Sequence, residues 1–176
     1  MALAQAFERH LPALEARLHD ILAAPSEGFK SLYGMLQYHH GWLNEHLEPA
    51  RADSGKRIRP LLCLLSCEAL GGDAQPALPV AAAIELLHSF SLVHDDIQDN
   101  SPLRRHRPAV WALWGAPQAI NVGDLLYASA NRSLVAVRDH VSPETALTLM
   151  ERFQATCVRL CEGQYLDMDF ETRATV

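Results

Sequence analysis

Apolar residues recur three and four positions apart along nearly the whole chain, as in "LEARLHDIL" and "LLCLLSCEAL". That spacing places them on one face of a 3.6-residue helix. No run of four or more alternating apolar and polar residues bounded by turn signals argues for a strand. The pattern predicts an all-α chain with helices over roughly 3–23, 29–47, 57–70, 77–99, 117–138 and 143–170. Breaks fall at Pro25 to Gly28, Pro49 to Gly55, Gly71 to Pro76 and Asn100 to Pro117, and Ser142 reads as an N-cap with Pro143 in the first helical position.

One of these helices differs from the rest. From Pro79 it is almost wholly apolar, through Ala81, Ala82, Ala83, Ile84, Leu86, Leu87, Phe90, Leu92 and Val93. A helix that is hydrophobic all round belongs at the centre of a fold. Its last turn carries Asp95, Asp96 and Asp99, so an acidic cluster is predicted at the mouth of the core.

Composition narrows the class. The chain has 176 residues, 49% hydrophobic and 20% charged, without repeat or linker, which fits a single domain over 1–176. A formal charge of -6 supplies no basic field for a polyanion, so nucleic acid is not an expected partner. The apolar run from Ala77 to Val93 is interrupted by Glu85 and His88, and the N-terminus lacks a charged start with a greasy core. Neither a membrane span nor a secretory signal is expected, and the protein reads as cytoplasmic. Cys63/Cys67 and Cys157/Cys161 are two i,i+4 pairs within predicted helices, which favours free thiols on buried helix faces over a zinc site.

The stretch "HDDIQDNSPLRRHRP" then poses a chemical question. Asp95 and Asp99, four apart, share a helix face with Cβ atoms about 5–6 Å apart, and such like-charged pairs destabilise a helix by roughly 0.2–0.5 kcal/mol. They also sit at the negative end of the helix dipole. A sequence that breaks two local rules together marks a functional site. Paired carboxylates suit a hard divalent cation that keeps positions for water and phosphate, unless Arg104, Arg105 and Arg107 merely neutralise them.

"GKRIRP" supplies a second signal, because Lys56, Arg57 and Arg59 stand at the start of a predicted helix, where the dipole disfavours cations. Free backbone N–H groups with lysine and arginine make an anion pocket. Two basic groups and an acidic pair in one helical domain suggest a metal-bridged diphosphate. His88 lies seven residues before Asp95, on the same face, where a lone histidine more often serves as a hydrogen-bonded core residue.

In order and spacing, "GKRIRP", "AAAIELLHSFSLVHDDIQD", "LRRHRP", "AINVGDLLYA" and "EGQYLDM" resemble the trans-isoprenyl diphosphate synthases, or polyprenyl synthetases, to which farnesyl and geranylgeranyl diphosphate synthases belong. The likeness runs from about Gly55 to Asp167. It implies a helical bundle around a central apolar cavity, usually homodimeric, that condenses isopentenyl diphosphate with an allylic diphosphate. By the same resemblance Asp95 and Asp99, with Asp96, hold a cluster of two or three Mg²⁺ ions on the allylic diphosphate. Arg104 contacts that diphosphate, and Gln164 and Asp167 face the metal. Lys56, Arg59, His88 and Arg105 hold isopentenyl diphosphate. No side-chain nucleophile is required, and His39, His40, His94 and His106 read as structural or solvent-facing.

Two departures from the family are visible. His106 and Arg107 follow the paired arginines where the family usually has glycine first, which implies a stiffer loop or one more phosphate donor. Members of the family are longer and carry a second aspartate-rich motif preceded by lysine. No second Asp-Asp pair occurs here, so the resemblance implies the first half of the bundle, a fragment or truncated form with half of the metal cage absent. Phe90 and Ser91, five and four residues before Asp95, lie where a growing chain would pass. In the family an aromatic there limits product length, which implies a farnesyl or geranylgeranyl product. The alternatives are a class I terpene cyclase or head-to-head condensing enzyme, which shares the acidic motif, and a non-catalytic synthase subunit.

Overall fold

The computed structural model describes residues 3–173. The chain divides into two compact units, Met1–Val137 and Arg138–Val176. The first holds α1 (Leu3–Ile21), α2 (Lys30–His39), α3 (Ile58–Ala69), α4 (Leu78–Gln98), a hairpin of β1 (Leu103–Arg104) and β2 (Arg107–Pro108), α5 (Val110–Trp114) and α6 (Ala116–Val135). The second holds α7 (Pro143–Arg173). There Ser142 caps the helix by accepting a 3.1 Å hydrogen bond from the Thr145 N–H.

Helix α4 is the axis of the first unit. Ala81, Ala82, Ala83, Leu86 and Val93 on it are buried, as are Ala119, Val122, Leu126, Ala130 and Leu134 on α6. Small residues let the two helices approach closely, and the Ser133 hydroxyl donates to the Pro79 carbonyl at 2.9 Å between them. Gly123 marks the tightest contact, since a Cβ there would fall 2.2 Å from His94 Nε2. By length and composition Gln75–Gln98 could cross a membrane, and half of its apolar window is buried inside the fold. Its apolarity is that of a core helix.

The helices predicted over 57–70 and 77–99 form within two residues of those bounds, whereas that over 29–47 ends at His39. Gly41, at φ 79, stops it: the Gly41 N–H donates to Tyr38 O at 2.9 Å and the Trp42 N–H to Gln37 O at 3.0 Å. That pair of bonds is a Schellman motif, and the left-handed residue it needs is most easily glycine. Beyond it a tight loop closes with a bridge between Leu43 and Pro49. The segment 100–117, read as a break, contains the hairpin and α5, and Gly115 at φ 82 separates α5 from α6. The four cysteines are free thiols, and they do not all lie on buried faces: Cys157 is buried, Cys63 and Cys67 are intermediate, and Cys161 is exposed.

Candidate active site

Asp95 and Asp99 stand at the C-terminal end of α4 as the sequence places them, and neither forms an ion pair or side-chain hydrogen bond with another described residue. Burial pushes the Asp95 carboxyl above the usual aspartate range, and the neighbouring charge of Asp99 adds to the rise. Two carboxylates that repel each other with no cation between them fit a hard divalent ion. Asp96 differs: it is 1% exposed and turned away into the core. Its Oδ1 accepts from Arg104 Nε at 3.0 Å and Nη2 at 2.5 Å. Asp96 therefore anchors the arginine, and the three acids do not converge as one ligand group among the described residues.

The basic residues come from three places. Lys56 and Arg59 flank the N-terminus of α3 and are exposed. Arg59 Nη1 lies 3.4 Å from His88 Nε2 on α4. Burial lowers the His88 pKa to about 4, helped by the charges of Arg59, Arg105 and Arg104, so the ring is neutral near pH 7. Arg105, at the hairpin tip, reaches back to Gly55, where a Cβ would fall 2.7 Å from its Nη2. Gly55 thus lets the backbone before α3 lie against that guanidinium. An open cavity of about 1130 Å³ adjoins this basic end, bounded by Leu11, Trp42, Lys56 and Ile58.

The hairpin aims the arginines. Arg104 and Arg107 pair across it, and the turn residues Arg105 and His106 have φ of 51 and 62. Two successive positive φ values are the signature of a type I′ turn, whose second position favours glycine. His106 is exposed there and, among the described residues, makes no side-chain hydrogen bond or ion pair that would offset the strain. Substituting His106→Gly is expected to raise stability by about 0.5–1 kcal/mol, the left-handed penalty less glycine's added chain entropy. Denaturant melts would check this, and a lowered midpoint would show that the imidazole contributes contacts of its own.

Arg107 is not a spare phosphate donor. Its guanidinium lies 4.0 Å over the Tyr38 ring and donates to the carbonyls of Tyr38 at 3.2 Å and Leu43 at 2.7 Å. The Tyr38 hydroxyl returns a 2.8 Å bond to Pro108 O, so the hairpin is fastened to the end of α2. Below the acidic pair Phe90 is half-buried, its ring 4.8 Å from that of His94 and 5.3 Å from that of Tyr127 on α6. Ser91 spends its hydroxyl on the His88 carbonyl at 2.9 Å. Tyr127 belongs to the stretch "AINVGDLLYA", but sequence alone assigns it no role, because only the α4–α6 packing brings it to Phe90. Gln164 and Asp167 lie on α7 in the second unit, half-buried and exposed respectively.

The profile of the polyprenyl synthetase family matches residues 40–176. The chain is 50% identical over 133 residues to a short chain isoprenyl diphosphate synthase of Methanothermobacter thermautotrophicus, covering 76% of this chain and 39% of that protein. It is 39% identical over 159 residues to a geranylgeranyl diphosphate synthase of Mycobacterium tuberculosis, covering 90% and 44%. Among solved structures, a polyprenyl synthetase from Streptomyces coelicolor superposes with a TM-score of 0.82 at 36% identity, over 99% of this chain and 48% of that one. A geranylgeranyl pyrophosphate synthetase from the archaeon Geoglobus acetivorans gives 0.83 at 35% identity, over 97% and 51%. The chain spans less than half the length of these two sequence relatives.

Proposed function

The chain belongs to the polyprenyl synthetase family, and from that premise we propose that the protein is a short-chain trans-isoprenyl diphosphate synthase, joining isopentenyl diphosphate head-to-tail to an allylic diphosphate. The carrying observation is the placement of an unpaired acidic pair at the end of the core helix, near basic side chains gathered from α3, α4 and the hairpin.

Asp95 and Asp99 are the residues to hold Mg²⁺, which when bound neutralises the charge that gathers on a departing diphosphate. Arg104 spends Nε and Nη2 on Asp96 and keeps Nη1 for the allylic diphosphate, so its direction is set before substrate arrives. Lys56, Arg59 and Arg105 grip the diphosphate of isopentenyl diphosphate, and neutral His88 adds an N–H rather than a charge. Cleavage of the allylic carbon–oxygen bond leaves a cation, the isopentenyl double bond attacks it, and loss of a proton restores the alkene. The reaction requires that water be kept from this cation, which it would otherwise capture.

Incubation of the longest reading frame that contains this chain, and separately of the 176 residues alone, with Mg²⁺, labelled isopentenyl diphosphate and allylic diphosphates of several lengths, followed by product sizing, tests the proposal. A farnesyl or geranylgeranyl diphosphate is expected from the long form, and elongation by the long form only would mark the 176 residues as an incomplete site. Release of a hydrocarbon would favour a terpene cyclase, and absence of elongation with the motifs intact would favour a non-catalytic subunit. In the same assay Phe90→Ala is expected to lengthen the product, because the ring between the acidic pair and Tyr127 is removed. An unchanged product would take Phe90 out of length control.

A further inference from the structure

Arg57 is flanked by the two residues of "GKRIRP" assigned to isopentenyl diphosphate, yet it faces the other way. It is 4% exposed, while Lys56 and Arg59 are exposed. The reversal has a local cause: Arg57 adopts φ 49 and ψ 31, a left-handed conformation, immediately before the first residue of α3. Such a conformation costs a residue with a Cβ about 1–2 kcal/mol and persists only where the surroundings fix it.

The surroundings do fix it, through all three guanidinium nitrogens. Nε donates to Glu15 Oε1 of α1 at 2.7 Å and Nη1 to Glu85 Oε1 of α4 at 2.6 Å. Nη2 lies 3.3 Å from Nδ1 of His40, at the end of α2. One side chain thus ties the start of α3 to three other helices. Buried ion pairs contribute little net stability over apolar replacements, whereas their fork geometry orients whatever carries them.

We infer that Arg57 is a positioning residue for the isopentenyl diphosphate end of the site, its three-way hold turning Lys56 and Arg59 outward toward the same anion. The inference rests on the function proposed above. It separates Arg57 from the allylic end, because Arg104 is anchored independently by Asp96.

The test is steady-state kinetics with each substrate varied in turn, on the long form as wild type, Arg57→Lys, and a double variant in which Arg57→Met is joined to Glu85→Met so that the buried Glu85 carboxylate is not left alone, Glu15 being free to turn toward solvent. The double variant is expected to raise KM for isopentenyl diphosphate about tenfold, the equivalent of one hydrogen bond to a charged group, with the allylic KM within about twofold. Arg57→Lys keeps the charge without the fork and is expected to give about a threefold rise. A wild-type KM for isopentenyl diphosphate in both variants, or an equal rise for both substrates, would overturn the positioning role while the synthase reading stood. Failure of the wild-type long form to condense the two substrates would remove that reading and this role with it.

Discussion

Replacing Asp95 and Asp99 together by asparagine is expected to lower kcat by at least about a thousandfold, on the scale of losing preorganised charge stabilisation in an active site, while leaving the protein at least as stable. The two effects have opposite signs for one reason. Two carboxylates at i,i+4 repel, and both sit at the negative end of the α4 dipole, so neutralising them relieves about 0.2–0.5 kcal/mol of repulsion and a similar dipole term. The Asp95 pKa, raised first by burial, is raised further by the charge of Asp99, which is the same crowding. Kinetics and denaturant melts on the metal-free variant would be read side by side. A variant that lost activity and also melted well below wild type would mark the pair as part of the fold.

Acidification from pH 7 to pH 5 is expected to remove several kcal/mol of stability. His39 and His40 are buried beside arginines, and burial first, then the charges of Arg105, Arg104 and Arg57, lowers the His39 pKa to about 3. Burial and Arg57 push His40 the same way. Among the described residues the Nε2 atoms of both rings have no hydrogen-bond partner, so no acceptor awaits a proton there. A histidine depressed in the fold contributes stability that is whole above its unfolded pKa of 6.5 and is lost as pH falls toward the folded value. Each such group yields a slope of about 1.4 kcal/mol per pH unit. The slope should therefore be steep between about pH 6.5 and pH 5. At lower pH the raised carboxyls of Glu85, Asp95 and Asp96 act in the opposite sense, because the folded state then takes up protons more readily than the unfolded chain. Urea midpoints across this range measure the effect; a flat profile would mean that His39 and His40 ionise freely in the fold.

The parts legible in the sequence were those fixed by local periodicity. Helix α4 announces itself by an apolar run, interrupted at Glu85 and His88, that ends in acids, and Ser142 and Pro143 announce α7. The stop at Gly41 is hidden in the sequence because apolar residues continue through Trp42 and Leu43 at helical spacing, although the Gly41 backbone is left-handed. The hairpin strands are two residues each, too short for alternation to register. Among site residues, the acidic pair, the basic start of α3 and the paired arginines stood out because they violate local preferences. The partners of Arg57 did not, since they lie 42, 28 and 17 residues away and only the packing of α1, α2 and α4 assembles them. Asp96 looked like its neighbours in sequence, and only its position in the helical turn sends it inward to Arg104.

Calorimetric titration of inorganic pyrophosphate into the protein, with and without Mg²⁺, tests the central claim most directly, because it asks for metal-bridged diphosphate recognition without requiring turnover. The expected result is binding that depends on Mg²⁺ and disappears when Asp95→Asn and Asp99→Asn are combined. Binding of equal strength without the metal, or untouched by those substitutions, would contradict it and leave the acidic pair without the role assigned here.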